Sequence, residues 1–234
     1  MLPQPNRQLR ILNVVTVVLM LTAAALVFFY APRERVMGEV QRIFYFHVSS
    51  AWVGFLAFFV TLCAGLAYLR TGKLVWDTVA ASSVEVGLVF TVMAIISGSI
   101  WARPAWNTWW TWDPRLTTYT ILALIYLAYV MLRQGLEDPG RRARFAAVYG
   151  IVGFISVPIT FFSIRWWRTI HPVIIGTETA TSVGGFDMTP PMLLVFFFSL
   201  FAFTVLYFCF LANRLQLQRE IDHVEQLKAQ AITD

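Results

Sequence analysis

The 234-residue chain is 58% hydrophobic and only 13% charged, about half the charged share of a soluble domain, so a water-soluble globule is excluded and an integral membrane protein is expected. In a soluble protein a net charge of +5 would point to nucleic acid. Here it is read as loop arginines that set orientation in the bilayer, and the expected surroundings are membrane lipid with no nucleic acid.

Six apolar runs are long enough to cross a hydrocarbon core of about 30 Å. They lie near 11–30, 49–69, 79–101, 116–133, 145–164 and 192–212, and predict an all-α, single-domain bundle of six transmembrane helices over 1–234. The first run lacks a clear cleavage site and is read as a span. Cys63 and Cys209 sit inside apolar runs without Cys-x-x-Cys or zinc spacing, which predicts two small buried side chains and no thiol chemistry. An even number of spans puts both termini on one side. Lys and Arg decide which: Arg7, Arg10, Arg70, Lys73, Arg133, Arg141, Arg142, Arg144, Arg214, Arg219 and Lys228 face one side, eleven against seven opposite. Both termini are therefore expected in the cytoplasm, with the odd connections outside. The segment 213–234, with His223 among Arg219, Glu220, Asp222 and Glu225, reads as a solvated cytoplasmic tail. Glu85 interrupts the third span. An intramembrane carboxylate is a functional candidate by default, but near the cytoplasmic end local snorkelling or a helix–helix hydrogen bond with Ser82 or Ser83 is the expected account.

The outward connections carry the chemistry. Arg42-Ile43-Phe44-Tyr45-Phe46-His47 leads into the second span, and Trp166-Trp167-Arg168-Thr169-Ile170-His171-Pro172 follows the fifth. Between spans three and four, at 102–115, lies Trp106-Asn107-Thr108-Trp109-Trp110-Thr111-Trp112-Asp113-Pro114-Arg115, with four tryptophans in seven residues. If helical, this amphipathic segment sets Trp106, Trp109, Trp110 and Asp113 on one face and turns Trp112 away. Trp gathers at membrane interfaces, yet a belt spreads its rings over many helix ends, whereas four on one stretch suit a platform for a flat apolar ligand. Asp113 before Pro114 is a helix start, so its expected role is a cap rather than a catalytic acid. The last outward loop, 165–191, holds Gly176, Gly184, Gly185, Pro190 and Pro191 and is expected to be irregular and able to fold over something.

Two histidines on the same side as an aromatic platform suit haem. Imidazole is a natural axial ligand for its iron, and Arg42, Arg103, Arg115, Arg165 and Arg168 are available to pair with propionates. Two histidines without a third ligand make a poor zinc or copper site. Quinone competes for the aromatic platform, as in a membrane redox subunit, although such subunits carry histidine pairs within their spans. A ligand-free scaffold of a transporter complex, anchored by its tryptophans, is the remaining alternative.

The run Trp106-x-x-Trp109-Trp110-x-Trp112-Asp113-x-Arg115-Leu116-Thr117 resembles the signature of the WWD-type haem-handling membrane proteins. The six spans, the length and a histidine on each flanking outward loop are similar to the cytochrome c maturation protein C (CcmC) family. The resemblance implies that His47 and His171 are the axial ligands of a non-covalent b-type haem. It implies that Trp106, Trp109, Trp110, Trp112 and Asp113 hold the haem at the periplasmic face of a bacterial inner membrane. It further implies presentation to a periplasmic haem chaperone (CcmE-like) for c-type cytochrome biogenesis, beside transporter subunits (CcmA- and CcmB-like) and a small single-span protein (CcmD-like). Delivery rather than catalysis is the expected role, with any part in covalent attachment to the chaperone left open. The chain departs from the expected pattern with Asn107 in place of Gly, and Ser49 in place of Pro.

Overall fold

A computed structural model describes residues 7–35, 37–172 and 188–233. Helix α1 (Arg7–Ala25) continues through a π turn (Leu26–Tyr30), and a 3-10 turn (Glu39–Gln41) leads into α2 (Arg42–Thr71). There follow α3 (Leu74–Trp106), α4 (Pro114–Gln134), α5 (Pro139–Gly153), α6 (Ser156–Trp166) and α7 (Pro190–Thr233). Six stretches are long and apolar enough to cross a membrane: Arg7–Tyr30, Glu39–Thr71, Leu74–Trp106, Pro114–Gln134, Pro139–Trp166 and Pro190–Lys228. The chain is thus an all-α, six-span membrane protein, as its composition requires.

The boundaries follow from particular residues. Gly72 takes the left-handed conformation (φ 66°) and its N–H returns to the Tyr68 carbonyl at 2.8 Å, closing α2 two residues before α3. Asp138 caps α5, accepting from the Arg141 N–H at 2.6 Å, with Pro139 at the first helical position. The fifth span is two helices because Pro158 has no N–H to offer the Phe154 carbonyl, and the chain turns at Phe154–Ile155.

Helices α2 and α3 form the centre. A Cβ on Gly87 would lie 2.7 Å from the Ala57 Cβ, and one on Gly54 2.8 Å from the Thr91 Oγ1. Small residues therefore allow the backbones to approach, the usual solution where lipid supplies no hydrophobic drive between helices. Val53, Ala57, Val86, Phe90, Phe203 and Tyr207 join α2, α3 and α7. Phe58 stacks on Tyr126 with ring centres 3.5 Å apart, joining α2 to α4. Helix α1 rides on α7, where the Asn213 Nδ2 donates to the Asn13 Oδ1 at 2.8 Å.

The structure departs from two sequence expectations. Glu85 does not bond Ser82 or Ser83. It pairs with Arg214 of α7 at 2.6 and 3.2 Å, and Ser83 is engaged by the Ala57 carbonyl and the Tyr207 hydroxyl, both at 2.7 Å. The thiols also differ: Cys209 is buried but Cys63 is exposed on the bundle surface, because α2 turns that face away from its neighbours. The tail to Thr233 continues α7 as one helix, with His223 exposed. Residues 173–187 of the last outward loop, including Gly176, Gly184 and Gly185, lie outside the described residues.

Candidate haem site

The first turns of α2 and α4, the last turns of α3 and α6 and the chain after α6 meet at one end of the bundle. His47 lies about one turn into α2, with its ring against α3 at Gly98. A Cβ on Gly98 would stand 2.8 Å from the His47 Cε1, so only glycine leaves the ring its place. The His47 Nδ1 is 3.0 Å from the Ala94 carbonyl and 3.3 Å from the Ser97 hydroxyl, which itself donates to the Met93 carbonyl at 2.7 Å. A carbonyl only accepts, so Nδ1 carries a proton, and in the neutral ring Nε2 keeps the lone pair. His171 repeats the pattern, with Nδ1 3.2 Å from the Pro172 carbonyl. Burial, with Arg115 and His47 nearby, holds the His171 imidazole well below its ordinary value, at about 3, and its ring is neutral at physiological pH. Metal-binding histidines have this arrangement: the second ring nitrogen donates to a carbonyl and fixes the tautomer.

The two rings have centres 6.5 Å apart. With metal–nitrogen bonds of about 2 Å, and a ring nitrogen about 1 Å from its own ring centre, imidazoles on opposite sides of one metal ion stand about 6 Å apart. Among the described residues no cluster of three His, Cys, Asp or Glu forms, so the donor set is the imidazole pair. Between and beside the rings lies a cavity with about 680 Å³ of atom-free space, walled by Trp101, Trp106, Trp110, Arg115 and Tyr119. Trp106 meets His171 edge-to-face at 6.3 Å and Trp101 at 4.9 Å. His171 and Arg115 also border a second apolar cavity, toward Trp52, Phe55 and Phe161.

The tryptophan segment is not a helix, so the single-face arrangement expected for it does not form. Asn107 ends α3 in the left-handed region (φ 55°), and the Arg103 guanidinium donates to both its carbonyl and its side-chain oxygen at 2.8 Å. The chain then runs irregularly to Asp113. Trp106 and Trp110 turn into the cavity, while Trp109 and Trp112 are 58% and 73% exposed. The indole nitrogens of Trp101 and Trp110 are buried without a hydrogen-bond partner. Two orphaned donors in the wall suit a ligand that brings acceptors.

Of the five candidate arginines, Arg115 lines the cavity. It donates to the Thr160 carbonyl and, at 3.3 Å, to that of Phe161, and its guanidinium lies over the Phe55 ring. Arg165 borders the second cavity. Arg42 is turned to Glu39 at 2.5 Å and to the Val27 carbonyl, and Arg103 serves the Asn107 turn. Arg168 lines neither cavity. Asp113 caps α4 as expected, accepting from the Leu116 N–H at 3.1 Å. Sequence reasoning missed Gly98, Ala94 and Ser97, which seat His47, and Tyr119 in the wall.

The family described as CcmC, Heme exporter protein C, matches residues 2–230. The chain is 34% identical over 205 residues to the Heme exporter protein C of Bradyrhizobium diazoefficiens, covering 85% of this chain and 75% of that protein. It is 32% identical over 178 residues to a putative cytochrome c biosynthesis ccmC-like mitochondrial protein of Marchantia polymorpha, covering 76% and 75%. To the Heme exporter protein C of Escherichia coli strain K12 it is 33% identical over 150 residues, covering 62% and 59%.

Proposed function

Since this chain belongs to the haem exporter protein C family, we propose that it holds a non-covalent b-type haem between His47 and His171 and delivers it for c-type cytochrome biogenesis. The observation that carries the reading is the pair of imidazoles, each with Nδ1 turned to a carbonyl and with ring centres 6.5 Å apart, a spacing suited to one iron. The bound group supplies the iron and a flat apolar macrocycle. Trp106 and Trp110 offer it aromatic surface, while Arg115 and the two unpartnered indole N–H groups offer donors to its propionates. His47 and His171 would together hold the iron, which suits holding and hand-over.

The exposed Trp109 and Trp112 stand outside that wall and face the recipient, a periplasmic haem chaperone of the CcmE kind, with CcmA-, CcmB- and CcmD-like subunits alongside. The site faces the periplasm and both termini the cytoplasm of a bacterial inner membrane. The activity is presentation, with no catalytic residue assigned.

The test is an absorption spectrum of the purified protein with haem. His47→Ala and His171→Ala are each expected to lose the low-spin spectrum while remaining inserted, and added imidazole to restore it in part. An unchanged low-spin spectrum in both variants would remove the ligand assignment.

A further inference from the structure

The carboxylate of Asp113 does more than a cap requires. One oxygen accepts from the Leu116 N–H and starts α4. The other accepts from the Thr169 hydroxyl and, at 3.2 Å, from the Ile170 N–H. Thr169 is only 3% exposed, and its hydroxyl accepts in turn from the His171 N–H at 3.1 Å. The direction of every bond is therefore fixed. The one hydroxyl proton goes to the carboxylate, and a hydroxyl lone pair receives the His171 amide. Asn or Ser would cap α4 about as well, but only a carboxylate presents acceptors on both sides and no donor to oppose the Ile170 N–H.

His171 follows the end of α6 by five residues, beyond regular structure. No helix ladder fixes its backbone, unlike that of His47. We propose that Asp113 is the positioning residue for His171: through Thr169 it holds the backbone that aims this imidazole at the cavity. The same carboxylate sets the first turn of α4, which carries Arg115 and Tyr119 into that cavity. Asp113 thus ties the tryptophan segment, α4 and the chain around His171 into one unit. The inference rests on the reading of His171 as a haem ligand.

The experiment loads the full-length protein with haemin and compares Asp113→Asn, Thr169→Val and Thr169→Ser with His171→Ala. Asp113→Asn keeps the cap oxygen and replaces the second acceptor with a donor. It and Thr169→Val are expected to lose low-spin signal, to recover it with added imidazole, and to retain haemin about tenfold less well on dilution, the worth of one hydrogen bond to a charged group. Thr169→Ser keeps the hydroxyl and is expected to match the parent spectrum. The double variant Asp113→Asn/Thr169→Val is expected to be no worse than the poorer single one, because both break the same chain. Should Thr169→Val fail to insert, Asp113→Asn against Thr169→Ser decides. A parent-like low-spin spectrum in Asp113→Asn, with His171→Ala defective, would overturn the positioning role and leave the ligand reading standing. A parent-like spectrum in His171→Ala itself would remove both.

Discussion

Gly98 decides whether His47 has a place to stand. Its hydrogen faces the imidazole at a distance that a Cβ would close to 2.8 Å, and the obstruction would come from a helix that is itself held between α2 and α4. Gly98→Val is therefore expected to cost about 1–3 kcal/mol as overpacking. The ring should swing off the Ala94 carbonyl, and low-spin haem should fall in the absorption spectrum while membrane insertion stays normal. Both histidines and the tryptophan run were legible from sequence because polar or ligating side chains stand out at the ends of apolar runs. Gly98 was not, since a glycine in a span signals only that something approaches closely, and what approaches lies fifty-one positions earlier. Asn107 is half legible: it stands where the family resemblance leads one to expect glycine, and the structure gives it the positive φ that glycine adopts most easily.

At the scale of elements, length and hydropathy were enough for six helices, but they mark only apolar stretches. Helices α2 and α3 extend as polar and aromatic turns beyond them, and those turns carry His47 and Trp106. The shared tryptophan face does not form for a related reason: 3.6-residue spacing describes a face only if the chain stays helical, and between Asn107 and Pro114 it does not. Interhelical polar ties were invisible in one dimension. Arg133 of α4 forms a two-pronged pair with Asp77 of α3, one contact at 2.9 Å, with both side chains largely buried. Arg133→Met would leave that carboxylate uncompensated, a loss of about 3–5 kcal/mol. Replacing both partners with apolar residues is expected to return much of it, as read by thermal melting in detergent.

For the molecule as a whole, orientation follows from charge. Eleven Lys and Arg on one side against seven on the other predict that reporter fusions after Arg70, after Arg142 and at the tail all read cytoplasmic; a periplasmic reading at any of them would turn the site inward. Five segments converge on that site from one end of the bundle, yet the two histidines are mounted differently. His47 grows out of a thirty-residue helix and lies in a recess on the helix beside it. His171 hangs from an irregular stretch by a carboxylate and a hydroxyl. On the reading proposed above, the holder is a vice with one fixed jaw and one hung jaw. The hung side would yield first, since only two hydrogen bonds hold its backbone in place, while the helix-mounted side would keep its grip.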